Sequence, residues 1–175
     1  MMKLAGSDER PDVAENQTAR EKLAEITLPS VNEASGEDFS DRSTMSELMD
    51  STLYLLFPNF APWAGHGNVI SYRHRPNGDD VDSSIMDIFI LARYPEGTEP
   101  PPDTPTHRLA IDEPFSDAAE VMGEGLSNVF NQDGANLPQV QRGLKASKKG
   151  AVTLGNYQEV RIRHFNQTLE KYLNA

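Results

Sequence analysis

A carboxylate that closes an apolar helical stripe is the feature of this chain best placed to do chemistry. Met122, Leu126, Val129, Phe130 and Asp133 recur at spacings of three and four, so a helix would carry them on one side. That placement turns the Asp133 carboxylate toward a core, where it needs a cation, a proton or a metal, because burying a bare charge is costly. The bland alternative is a helix-end Asp bonded to loop amides, and structural aspartates greatly outnumber metal ligands. The four histidines are His66, His74, His107 and His164, and no two of them are five residues apart. His66, in the loop Trp63-Ala64-Gly65-His66-Gly67, is the one retained as a pocket candidate; His74 and His164 read as structural or surface residues. Trp63 and Phe57 read as core. The chain has no cysteine, which excludes disulfides, thiolate-bound zinc and a Rieske cluster held by this chain.

The elements that would position Asp133 follow from periodicity and breakers. Residues 1–20 are polar and acidic and read as disordered. Ala19 to Ile26 predicts a short helix, ended by Thr27-Leu28-Pro29. Thr52 to Phe57 predicts a buried strand stopped by Pro58-Asn59. Asn68 to Arg75 predicts the next strand, and Pro76-Asn77-Gly78-Asp79 a turn. In Ser84 to Tyr94, Met86, Ile88, Ile90 and Ala92 line one face at period two. These three strands make an antiparallel meander. Five prolines between Tyr94 and Thr106 demand a loop, and His107 to Ile111 suggests a further short strand. Asp117 with Glu120 reads as a capping box opening a helix. Gly134 and Pro138 should break or kink that helix just beyond Asp133, with a second segment from Gln139 to Lys148. A last helix follows Gly155, with Ile162, Phe165, Leu169 and Tyr172 as its apolar face. Strands first and helices after them predict an α+β fold with a curved antiparallel sheet packed on C-terminal helices.

Composition narrows the class. At 175 residues, with net charge −11 and mean hydropathy −0.57, the chain reads as one soluble domain that is a poor partner for nucleic acid. The cluster from Arg142 to Lys149 reads as a solvated helix end. With no apolar run near the roughly 20 residues of a membrane span and no apolar leader, the cytoplasm is the expected location. Residues 1–42 are expected to be an acidic, partly disordered segment and 43–175 the folded part.

The order of motifs adds a family resemblance. Asn131-Gln132-Asp133 leads into Val140-Gln141-Arg142-Gly143-Leu144, then Leu154-Gly155-Asn156-Tyr157-Gln158-Glu159 and Arg161-Ile162-Arg163-His164-Phe165, with Leu55-Leu56-Phe57-Pro58-Asn59-Phe60 upstream. This series resembles the end of the catalytic domain of Rieske-type aromatic-ring-hydroxylating oxygenases, the alpha subunit. The resemblance implies a helix-grip, START-like fold that is incomplete on its N-terminal side. It implies Asp133 as the carboxylate ligand of a mononuclear Fe(II), with Val129 and Phe130 in the substrate pocket, and structural roles for Gln141 and Glu159. It also implies a small apolar or aromatic substrate, dioxygen, and electrons from NAD(P)H through a reductase, with or without a ferredoxin. Such an iron site takes two His and one carboxylate on one face. The family's H-x₄-H pair and its 2Fe-2S domain lie upstream, and nothing in this sequence matches them. Two readings remain open: part of an oxygenase catalytic domain, or a non-catalytic helix-grip binding domain without iron.

Overall fold

The computed structural model describes residues 11–100 and 102–175, so of the stretch 1–20 expected to be disordered, residues 1–10 lie outside the described residues, while α1 begins at Ala19. The chain divides into two units at Asp103/Thr104, and each is described by itself.

In the first unit, α1 spans Ala19–Ser35. Thr18 caps it reciprocally: its hydroxyl accepts the Glu21 N–H at 3.2 Å, and the Glu21 carboxylate accepts the Thr18 N–H at 2.6 Å. The expected stop at Thr27-Leu28-Pro29 does not occur, and Pro29 lies inside the helix. Proline forfeits one backbone bond there, but Ala24 and Val31, two turns apart on one side, are buried. Continuing the helix keeps both in place. It ends at Gly36, whose φ of 71° is left-handed and whose N–H reaches the Asn32 carbonyl at 2.8 Å. A short second helix, α2 (Met45–Met49), repeats the capping box with Thr44 and Glu47. It packs on α1, and Arg20 pairs with Asp50 at 2.6 Å.

Four strands follow in a meander, β1 (Thr52–Leu53), β2 (Phe60–Ala64), β3 (Ile70–Asn77) and β4 (Asp80–Ile90), ordered β1-β2-β3-β4 and antiparallel throughout. The buried strand expected from Thr52 to Phe57 is corrected on both counts. The strand is two residues long, Thr52 and Leu53 opposite Ala64 and Trp63, with a single further bridge from Leu56 to Phe60, and Leu53 to Leu56 are all exposed. β2 was not foreseen, since Trp63 to Gly67 reads as a loop; Pro62, the middle residue of β2, lies opposite Ser71 at the end of the pairing with β3. The β3–β4 hairpin forms as expected but with other bounds: Pro76 and Asn77 belong to β3, β4 begins at Asp80 rather than Ser84 and ends at Ile90 before Ala92, and Gly78 sits at φ 58° in the turn. One face carries Ile70, Tyr72, Met86 and Ile88, and the other carries Ser71, Arg73, Arg75 and Asp87. Trp63 meets Tyr72 edge-on at 6.3 Å.

In the second unit, no strand forms at 107–111. The segment finds no partner strand and instead turns, with the Ala110 N–H donating to the Glu113 carboxylate at 2.6 Å. Asp117 does not cap a helix. It lies within a 3-10 turn, Phe115–Ala118, that opens after Pro114 and runs into α3 (Ala119–Met122). After Gly123, at φ 81°, α4 runs from Glu124 to Ala146, passing through both Gly134 and Pro138. The helix is therefore not broken beyond Asp133, and the second segment expected from Gln139 is part of α4. Last comes α5 (Val160–Leu173), with Phe165 and Leu169 half-buried and Ile162 and Tyr172 exposed. The chain is α+β, with an open antiparallel sheet and C-terminal helices. No described helix is long and apolar enough to cross a membrane.

Candidate functional site

Helix α4 carries the candidate residues, and its packing decides where each one points. Ser127, Phe130, Asn131 and Gly134 stand at i, i+3, i+4 and i+7, so they form one side of the helix. Ser127 is 1% exposed, and its hydroxyl donates to the Gly123 carbonyl at 2.8 Å. Phe130 is 7% exposed and stacks on Phe115 with ring centroids 5.1 Å apart. The Phe115 N–H donates to the Asn131 side-chain oxygen at 2.6 Å. A methyl group on Gly134 would come within 3.4 Å of the Phe115 ring, so a small residue fits where the turn crosses the helix. These contacts clamp α4 to the 3-10 turn.

That clamp rotates the stripe expected from sequence. The buried side is displaced from Met122, Leu126, Val129 and Asp133 by one residue, about 100° of helix rotation. Asp133 is exposed rather than turned to a core, and Val129 is 42% exposed. Among the described residues the Asp133 carboxylate has no hydrogen-bond or ion-pair partner. Phe130 shares in the clamp, and Leu126 is half-buried. Concave surfaces lie elsewhere, one lined by Gln167, Glu170 and Lys171 of α5 with Asn174 just beyond it, and one at the start of α1.

His66 belongs to the first unit and serves its packing. Its Nε2 lies 3.0 Å from the Ser43 hydroxyl, its ring contacts Phe39 at 4.6 Å, and its backbone N–H donates to the Glu47 carbonyl at 2.9 Å. The loop needs Gly65 beside it, because φ is 133° and a methyl group would come within 2.6 Å of the Asp50 carbonyl. His74 pairs opposite Met86 on β3, while His107 and His164 are exposed.

Two features escaped the sequence reading. One is Asn131 as an anchor; its neighbour Asp133 drew the attention in the same motif. The other is the cross-strand cluster in which Asp87 accepts from Arg73 at 2.8 Å and from Arg75 at 2.7 and 2.9 Å. The bonds from Arg75 and then Arg73 hold the Asp87 carboxyl well below the usual carboxylate range. Alternation of Arg73 and Arg75 on one strand face was the available signal.

The metal implied by the motif series needs two imidazoles and a carboxylate together. Among the described residues no group of three or more His, Cys, Asp or Glu could hold a metal ion, so this chain's residues do not by themselves fit that centre. Compared with known families, the chain matches the ring hydroxylating alpha subunit (catalytic domain) over residues 4–175. No curated protein and no solved structure matches it. The chain belongs to the ring-hydroxylating alpha-subunit catalytic-domain family.

Proposed function

From that membership we propose that the chain acts as the C-terminal portion of a ring-hydroxylating oxygenase catalytic domain, with Asp133 as the carboxylate ligand of a mononuclear non-heme iron. The observation that carries this reading is the disposition of Asp133: an exposed carboxylate on a clamped helix, without a partner among the described residues, inside the Asn131-Gln132-Asp133 motif. The clamp on the Phe130 side leaves the Asp133 side of α4 open to a second component. That component would bring two histidines and the 2Fe-2S centre, with electrons arriving from NAD(P)H through a reductase or ferredoxin. Val129, exposed one turn before Asp133, would form the apolar wall for a small aromatic or related substrate, backed by Phe130, whose ring packs on Phe115. The setting would be cytoplasmic.

A lone carboxylate binds Fe(II) weakly, since three protein ligands normally share the ion. The purified chain should therefore lack stoichiometric iron by metal mass spectrometry and show no NADH-coupled oxygen uptake. Stoichiometric iron that survives dialysis would overturn this reading and require ligands other than those proposed. A chain that never accepts iron, even beside a histidine-bearing partner domain, would favour the non-catalytic binding domain instead.

A further inference from the structure

Strand β4 ends the four-stranded sheet, and its outer edge carries an open row of backbone groups. The Leu91 N–H donates to the Val69 carbonyl at 2.6 Å, in continuation of the β3–β4 register. In an antiparallel ladder such bonds fall on alternate residues, so the odd-numbered residues here turn toward β3. The backbone groups of Ser84, Met86, Ile88 and Ile90 therefore point outward, and they have no hydrogen-bond partner among the described residues. Edges of this kind are commonly blunted by lysine, proline or a bulge. Here Asp80–Ile90 contains no Lys, Arg, Pro or Gly, and its one irregularity, beside Asn77, leaves the register regular from Ser84 onward. We propose that the edge from Ser84 to Ile90 pairs antiparallel with the same edge of a second copy of the chain, the two Asp87 residues standing opposite each other.

The side chains on the edge fix that register. Pairing about Asp87 lays Ile85 on the second copy's Phe89 and Met86 on its Ile88, each pair formed twice, with Ser84 against Ile90. Ile85, Met86, Phe89 and Ile90 are exposed in the single chain, and apolar pairs across strands stabilise a sheet. A slip of two residues either way would set the Asp87 carboxylate opposite Ile85 or Phe89, among apolar groups that cannot satisfy it. In the proposed register the two carboxylates approach one another, but each arrives with its own cations, Arg75 at 2.7 and 2.9 Å and Arg73 at 2.8 Å. Arg73 spends only its Nε on Asp87 of its own chain, which leaves terminal N–H groups for the carboxylate of the second copy. Each contact maps onto itself under a two-fold rotation, so the pairing closes as a dimer and joins two sheets into one. The stretch from Ser84 to Ile90 makes a small interface, so the dimer should be weak. It uses neither α4 nor a metal, and it stands apart from the reading of Asp133.

Engineered thiols in the whole chain test it, since the native sequence has no cysteine. Ile85→Cys and Phe89→Cys chains, mixed at high concentration and oxidised with diamide, should crosslink to twice 19.4 kDa, because residues opposed across strands lie within disulfide reach. Either variant oxidised alone should crosslink about tenfold less, since its own position in the second copy lies about 13 Å along the strand. Met86→Pro loses an N–H that faces outward rather than toward β3, a place where an edge strand tolerates proline. Added to both thiol variants, it should cut the mixed crosslink by about tenfold without altering far-UV circular dichroism. In the native chain, the backbone amides of Ser84, Met86, Ile88 and Ile90 should exchange hydrogen about tenfold more slowly as concentration rises from micromolar to millimolar. No crosslink in the mixture, equal crosslinking in the single variants, a crosslink that survives Met86→Pro, or exchange at those four amides that ignores concentration would each overturn the proposal.

Discussion

The Phe115 N–H donates to the Asn131 side-chain oxygen at 2.6 Å, and this bond sets which side of α4 is packed and which is open. Asn131 and Asp133 lie two residues apart, about 200° around the helix, so anchoring the first turns the second outward. One residue of the motif serves the fold, and the other is exposed.

A division of labour of this kind separates stability from function. Asn131→Ala leaves the Phe115 N–H without its acceptor and should lower stability by about 1 kcal/mol. Phe130→Ala removes a buried ring and should cost about 3 kcal/mol. Asp133→Ala, at an exposed position, should change stability by less than about 0.5 kcal/mol. Chemical denaturation of the three variants measures this order. A loss for Asp133→Ala as large as that for Phe130→Ala would show that Asp133 has a packing role.

Gly36 tests the end of α1. Its φ of 71° suits glycine, and a methyl group there would fall 2.5 Å from the Pro95 side chain. Gly36→Ala should therefore destabilise the first unit by about 1–3 kcal/mol through backbone strain and the clash together. Gly78→Ala shares the left-handed φ but meets nothing within 4 Å, so it should cost less. Thermal melts that rank the two the other way would contradict the contact with Pro95.

Asp87 gives the sheet an acid limit. Its bonds to Arg75 and Arg73 hold the folded carboxyl below the unfolded value of about 3.9. The folded state thus binds that proton less readily than the unfolded state. Its stabilisation is complete at neutral pH, begins to fade as pH falls past about 4, and is lost as pH drops through the depressed folded value. Asp87→Asn should lower stability at pH 7 by on the order of 1 kcal/mol, since the arginines are partly exposed, and flatten the acid limb. An unchanged acid limb in that variant would rule out Asp87 as its source.

The hairpin and the last helix were legible because their signals are local. A Pro-Asn-Gly-Asp turn flanked by alternating residues leaves little choice of partner, and Ile162, Phe165 and Leu169 recur at helical spacing. The family was legible in the order of motifs around Asp133. What sequence could not place was the rotation of α4, because Leu126, Val129 and Phe130 satisfy two overlapping apolar stripes. The choice between them falls to Phe115, more than ten residues away, through one ring contact and one hydrogen bond. Pro29 and Pro138 misled for a related reason. Each costs a helix one backbone bond, and in both cases the helix continues past it. The strand expected at 52–57 failed because a run of apolar residues does not reveal whether a partner strand extends far enough to cover it.

The most direct test of the account is to place this chain behind a partner domain supplying H-x₄-H and a Rieske centre, then count mononuclear iron with and without Asp133. Asp133→Ala should remove most of that iron and all product while the Rieske absorption stays unchanged, because two neutral imidazoles hold Fe(II) less tightly without the carboxylate. Asp112→Ala, in the turn before α3, should leave iron and turnover near normal. Full iron and turnover in Asp133→Ala would contradict the assignment.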